Sequence, residues 1–285
     1  MYTINFLAYA YDKNKHIHVY NSFIIPFTFF ALHHNENSHV EIIVEDVDLF
    51  KRTYEKELKV LSRYHTDFLI RDYQVKHNRH IPNTYRFFEK PVIKSKYTYI
   101  TDIDIMYLET DLVEKYEQFW PPNLPYNNIL RYPNSVILTG VFMLKNDEYY
   151  TNDFLKIQKK YYDQNVPKND EVILGQMCQE VHGLPNFDHR MRPIYGIHFS
   201  PNRGKGKQME LHASKIYYDK YMKLKSEYPE LFVLDLFEKL TIQLTQDFLI
   251  DKPETKSVSM KKTKSVSLKK TKYVSKNDLL RKIHS

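Results

Sequence analysis

Residues 97–108 read Tyr97-Thr98-Tyr99-Ile100-Thr101-Asp102-Ile103-Asp104-Ile105-Met106-Tyr107-Leu108. The first half is β-branched and aromatic, the composition of a buried strand. It then meets two carboxylates one residue apart, followed by four more apolar residues. Side chains two apart on an extended strand point to the same side, so Asp102 and Asp104 are expected to reach one cation together; the alternative is a solvated turn after the strand. Carboxylates inside an apolar run are costly unless paired or metal-bound, and oxygen ligands of this kind suit hard divalent metals.

The chain before this stretch alternates strand and helix patterns. Residues 3–10 read as a strand, 12–18 as a polar loop and 20–34 as an apolar helix. Residues 39–45 (HVEIIVE) give a second strand. The spacing of Leu49, Tyr54, Leu58 and Leu61 predicts a helix over 48–64. A third strand is expected over 66–72, and a helix over 82–95 with Asn83 as its N-cap. This alternation predicts an α/β fold with a largely parallel sheet. Ligands of such sheets bind beyond the carboxyl ends of the strands, which is where Asp102 and Asp104 fall.

After residue 108 the pattern changes. Residues 128–132 and 135–144 are strand-like, and 147–163 and 168–181 are helical, the latter opened by Asn169 or Asp170. An irregular segment over 184–192 leads to a last strand over 194–199. A helical pair follows, over 211–228 and 230–249. The organisation expected is a catalytic domain over 1–210, a helical extension over 211–251 and a tail over 252–285.

The formal charge of +7 belongs to that tail. Ten Lys and one Arg against Glu254 and Asp278 give it +9, leaving −2 for the rest. A body of that charge argues against a nucleic-acid-binding domain. The tail repeats with period eight, KSVSMKKT at 256–263 and KSVSLKKT at 264–271, and its Lys- and Ser-rich composition favours disorder. Its last residues, after Ser275, have a capping-box-like start to a short basic amphipathic helix. A single cysteine, Cys178, excludes an intramolecular disulfide and a cysteine-rich zinc site. In VILGQMC it reads as a small core residue. The most apolar run, 23–32, is ten residues long, too short for a membrane helix of about 20. The N-terminus lacks the basic start of a secretory signal, so a cytoplasmic location is expected.

Further candidates accompany the carboxylate pair. Gly140 opens the apolar run Val141-Phe142-Met143-Leu144, where a missing side chain lets a substrate approach the backbone or simply makes a turn. Asp170 and Glu171 stand at a helix start, where acids are stabilised by the helix dipole; either can cap the helix or face an acceptor hydroxyl as base or positioning group. His198 ends a strand and can ligate a metal, although a lone histidine is usually structural. Gly204-Lys205-Gly206-Lys207 can wrap phosphates or form a plain solvated turn.

The order of these features resembles GT-A fold glycosyltransferases, closest to the family of glycogenin and the bacterial lipooligosaccharide galactosyltransferases. The resembling stretches are Asn83-Thr84-Tyr85-Arg86-Phe87-Phe88 leading into YTYITDIDIMYL, then TGVFMLKND, NDEVILGQM, and His198-Phe199-Ser200 with the GKGK loop. Together they span residues 3–210. The family's usual Lys-Pro-Trp after the histidine is missing, and the segment between Asp104 and Gly140 is short. The resemblance implies a Rossmann-like sheet and transfer of a sugar from a nucleotide-diphosphate donor, with a UDP-sugar favoured. The acceptor would be a carbohydrate, in cell-surface polysaccharide or glycoconjugate synthesis. It implies Mn²⁺ or Mg²⁺ on Asp102, Asp104 and His198. It assigns the donor to Ala8, Tyr9, Tyr11, Asp12, Arg86, Asp102, Ile103, Asp104 and Gly140, with Lys205 or Lys207 at the diphosphate. Asp170, with Glu171 beside it, would face the reacting sugar. The tail lysines, worth roughly 1 kcal/mol each near an anionic surface, would then hold the enzyme at the inner face of a membrane. The other reading of the tail is a solubilising extension.

Two rivals share some of these features. A sugar-phosphate nucleotidyltransferase also uses paired carboxylates and a metal, but needs a glycine-rich loop near the first strand, and residues 8–20 hold no glycine. A non-enzymatic polyanion- or carbohydrate-binding protein would act through the tail.

Overall fold

The computed structural model describes residues 1–11, 20–76, 79–187, 194–199 and 214–250. β1 (Tyr2–Tyr9) leads through α1 (Ile24–His34) to β2 (Ser38–Val44). Then come α2 (Val47–Thr53), α3 (Glu55–Leu61), β3 (Phe68–Asp72), α4 (Tyr85–Phe88) and β4 (Ser95–Asp102). The chain continues with β5 (Ile105–Tyr107), α5 (Leu112–Glu117), β6 (Tyr126–Asn127), β7 (Phe142–Lys145) and α6 (Asn146–Tyr149). α7 (Asn152–Gln164), α8 (Asp170–Val181) and β8 (Gly196–His198) precede the last helices, α9 (Ser214–Glu227), α10 (Pro229–Phe232) and α11 (Asp235–Ile250).

A six-stranded sheet runs in the order β3-β2-β1-β4-β7-β6. Its first four strands are parallel, and β7 is antiparallel to β4 and β6. β5 and β8 form a separate antiparallel pair. This is the mixed, mostly parallel α/β class expected. β1 is central and buried from Ile4 to Tyr9, because helices cover both faces of such a sheet. From β1 the chain builds outward to β2 and β3, then returns to lay β4 on the other side of β1. The strand order reverses between β1 and β4, and the crevice outside their carboxyl ends is where open α/β sheets bind ligands. The register sets Tyr9 beside Asp102 at that crevice.

α1 is buried from Ile24 to Leu32, as a helix apolar on every side must be. The sheet lies under it and the C-terminal helices cover it. Phe29 packs edge-on against Tyr228 at 5.2 Å and Phe237 at 5.9 Å, and Phe30 stacks on Tyr221 at 5.5 Å. Each such side chain contributes about 1.5–3 kcal/mol on burial. The apolar run at 23–32 is therefore core, and no helix among the described residues is long and apolar enough to cross a membrane. On the opposite face, Phe87, Phe142, Tyr149, Phe154 and Met177 form a second core with Cys178. Cys178 is a buried free thiol, its pKa pushed up to about 12 by burial.

Several elements differ from the sequence pattern, each for a local reason. The helix expected over 82–95 is a 3-10 turn at Pro82–Thr84 and one turn of α4. Glu89 is extended, as Pro91 shortly after disfavours helix. Asn83 lies inside that turn, and Ile81 occupies the N-cap position. The helix over 48–64 breaks at Tyr54. That over 147–163 breaks before Thr151, whose side chain caps α7. The strands expected at 128–132 and 135–144 reduce to an isolated bridge between Leu130 and Leu138, followed by β7. Asn128 replaces the missing ladder: its side chain donates to the Thr139 carbonyl and accepts from the Ile129 and Thr139 amides.

Candidate active site

The carboxylates come together by a different device from the one expected. β4 ends at Asp102, and the chain turns through Ile103 and Asp104 before β5 leaves the main sheet. Period-two alternation along one strand therefore does not align them. β5 instead pairs with β8, Ile105 opposite His198, and the Phe199 amide donates to the Asp104 carbonyl at 2.7 Å. That pairing brings His198 Nε2 to 3.1 Å from Asp104 Oδ1. Asp102, Asp104 and His198 each offer a ligand atom within 4.8 Å of the others. Two carboxylate oxygens and an imidazole nitrogen suit Mn²⁺ or Mg²⁺, so these residues fit the metal that the resemblance implies. Ile103 is 2% exposed and its side chain belongs to the core. Only its backbone is left to meet a ligand.

Arg86 is the hub of the site. α4 holds it buried, its guanidinium 4.9 Å from the Phe87 ring centroid. One terminal nitrogen donates to the Thr101 carbonyl at 3.2 Å and pairs with Asp102. The other lies 3.6 Å from Asp170 Oδ2. Burial raises the Asp102 pKa, but Arg86, with His198 beside it, more than reverses this and leaves the carboxyl below its ordinary value. Gly140 is explained here: a Cβ on it would overlap the Arg86 guanidinium. Its missing side chain makes room for the protein's own arginine.

Asp170 and Glu171 open α8, where Asn169 is the N-cap and accepts from the Glu171 and Val172 amides. The cap is thus Asn169 rather than Asp170, and both acids keep their side chains for other partners. Glu171 pairs with Arg131 and accepts from the Gly140 amide at 3.2 Å. Burial still holds its pKa above the usual carboxylate range. Arg131 was not a sequence candidate. Nothing local in the sequence marks it, since its pairing with Glu171 spans 40 residues.

Along the same edge of the sheet, Tyr9 and Tyr11 stack at 6.3 Å, and Tyr85 lies 6.2 Å from Tyr9 and 6.4 Å from Tyr73. Tyr73 and Tyr85 extend the Tyr9–Tyr11 stretch singled out in the sequence. Ala8 is fully buried in β1. Asp12, Lys205, Lys207 and the tail lie outside the described residues.

No protein-family model matches the chain, and no curated protein matches its sequence. Solved structures with a related fold include the glycosyltransferase GlyE of Streptococcus pneumoniae TIGR4, at 14% identity and a TM-score of 0.45. That match covers 66% of this chain and 45% of GlyE, so the chain spans less than half of GlyE's length. A mannosyltransferase from Pyrobaculum calidifontis, in complex with GDP-Man and Mn²⁺, aligns at 10% identity and TM-score 0.41 over 86% of this chain and 75% of its own. The 4-diphosphocytidyl-2C-methyl-D-erythritol synthase of Anaerococcus prevotii DSM 20548 aligns at 8% and 0.41, over 70% and 94%. Glycosyltransferases recur among these neighbours, and a nucleotidyltransferase is present with them. At such identities and scores the likeness is one of general fold.

Proposed function

We propose that this chain is a metal-dependent glycosyltransferase that moves a sugar from a nucleotide-diphosphate donor to a carbohydrate hydroxyl. The observation that carries the reading is the convergence of Asp102, Asp104 and His198 where the strand order reverses. Arg86 links that cluster to the acids of α8. Asp102, Asp104 and His198 would hold Mn²⁺ or Mg²⁺. When bound, such an ion neutralises charge on a departing diphosphate. The chain's own residues do the rest. Arg86 fixes Asp102 and Asp170 relative to each other. Asp170 faces the transferred sugar and positions it, or takes the acceptor proton, with Glu171 held alongside by Arg131. Tyr9 and Tyr11 form the wall for the nucleoside, over a buried Ala8 that meets no ligand, and the diphosphate would fall to Lys205 or Lys207. A UDP-sugar is the favoured donor, and the acceptor belongs to surface polysaccharide or glycoconjugate synthesis.

Calorimetry on the full chain tests this with UDP-glucose, UDP-galactose and GDP-mannose, with and without Mn²⁺. We expect one donor to bind only with the metal and to lose that binding in the Asp102→Asn, Asp104→Asn double variant. Unchanged affinity in the double variant sinks the site. Release of pyrophosphate from a nucleoside triphosphate and a sugar 1-phosphate would replace the reading with nucleotidyl transfer.

A further inference from the structure

An open cleft of about 640 Å³ lies on the side of the molecule away from the carboxylate cluster. Trp120, Pro121, Pro122, Lys145, Glu148 and His182 line it. Lys145 pairs with Tyr97 near the amino end of β4, whereas Asp102 is the last residue of that strand. At about 3.3 Å per residue, the five residues from Tyr97 to Asp102 separate the two ends by roughly 17 Å. The cleft shares no residue with the candidate active site, and its size falls in the ~300–1,000 Å³ range of ligand clefts.

We infer that this cleft is a second binding site, for a neutral saccharide. Its apolar wall is rigid. The Trp120 indole N–H donates to the Leu124 carbonyl at 2.8 Å, which fixes the orientation of the ring. Pro121, Pro122 and Pro125 restrict the backbone that carries it, and Asn123 makes the left-handed turn between them at φ 65°. Tyr97 packs against the indole with ring centroids 5.8 Å apart, and Lys145 lies over the ring. The part of the half-buried indole that borders the cleft is therefore held still and can meet the C–H groups of a sugar at little entropic cost.

The polar wall selects for charge. Lys145 Nζ lies 3.3 Å from Glu148 Oε1 and 5.4 Å from the centroid of the Trp120 ring. The two charges cancel, so the wall offers donors and acceptors without attracting a phosphate or a carboxylate. His182 Nε2 bonds the Tyr149 carbonyl at 3.1 Å and must donate to it. Burial keeps the ring neutral by lowering its pKa, so Nδ1 is an acceptor. A fixed indole border beside charge-balanced donors and acceptors matches vicinal hydroxyls on an uncharged ring, and fits a nucleotide or an acidic glycan poorly. A polymer seated there would be held to the protein at a point remote from the cation cluster.

Trp120 is the protein's single tryptophan, so its emission reports on this cleft alone. The full chain is applied to an array of neutral and acidic oligosaccharides, and the best neutral binder is titrated while tryptophan fluorescence is followed. We expect a saturable change in emission. Retention on the array should weaken about tenfold or more in Trp120→Ala, and also in Glu148→Gln, whose exposed side chain spares the fold. The Asp102→Asn, Asp104→Asn double variant should bind the same glycan unchanged, which separates this site from the metal-dependent reading. No binding of any neutral glycan, preference for acidic ones, or binding that survives both cleft variants would overturn the inference.

Discussion

Arg86 reaches Asp102 because Gly140 has no side chain. The guanidinium occupies the space that a Cβ at position 140 would fill, and from there it touches both Asp102 and Asp170. The glycine thus acts through an intramolecular partner, and a substitution there perturbs the site from behind.

Gly140→Ala should therefore push Arg86 off Asp102 with only a modest loss of stability, about 1–2 kcal/mol. Metal-dependent donor affinity measured by calorimetry is expected to fall about tenfold. Full donor affinity in a folded Gly140→Ala protein would show that Arg86 has no part in the site.

Removing Arg86 has a distinctive pH signature. The Asp102 carboxyl sits below its ordinary pKa when folded. It therefore contributes stability that is present above the unfolded value and lost as pH falls through the folded one. Arg86→Met leaves the Asp102 carboxyl, 33% exposed, without its cation, at a cost of about 1–2 kcal/mol near neutrality once solvent screening is allowed for. Burial then raises its pKa. Thermal melts from pH 7 down to 4 should show the gap between wild type and variant closing as Asp102 takes up a proton. A gap constant across that window would refute the assignment.

A second pH effect belongs to the helical layer. Burial lowers the pKa of His34 and of His65 to about 4 in each case, against about 6.5 in an unfolded chain. The sign follows: the stability they contribute is whole above pH 6.5 and drains away as pH falls toward 4. Because both side chains are partly exposed, the expected loss is on the order of 1–2 kcal/mol each. A His34→Gln, His65→Gln double variant should show a flatter melting temperature between pH 7 and 4 than the wild type.

The basic tail makes a separable prediction. Deleting residues 252–285 removes a net charge of +9. It should leave donor hydrolysis unchanged while weakening sedimentation with phosphatidylserine vesicles at low salt. Equal sedimentation of both proteins would mean that the tail does not serve membrane contact.

The strand-and-helix rhythm of the first hundred residues was legible because β1, β2 and β4 are buried runs of apolar and β-branched residues, and burial and periodicity are local properties. Asp102 and Asp104 were legible as a pair for a similar reason: a carboxylate among apolar residues stands out. Their geometry was not, since it depends on β8 arriving from almost a hundred residues later to pair with β5. Arg131 and the Gly140–Arg86 contact also rest on long-range packing, which leaves no periodic trace. Glu41 shows the same limit. HVEIIVE reads as a plain strand, yet Glu41 is fully buried, held by Arg71 Nε at 2.8 Å, Asn5 Nδ2 at 3.1 Å and the Val92 and Ile93 amides.

The aromatic cover over α1 bears on how the chain is made. Phe29 and Phe30 leave the ribosome early, but Tyr221, Tyr228 and Phe237 follow some 200 residues later. At roughly 5–20 residues per second, that is a delay on the order of 10–40 s. Throughout it the nascent protein carries an uncovered ridge of phenylalanines. A translation product truncated before Tyr221 should therefore aggregate.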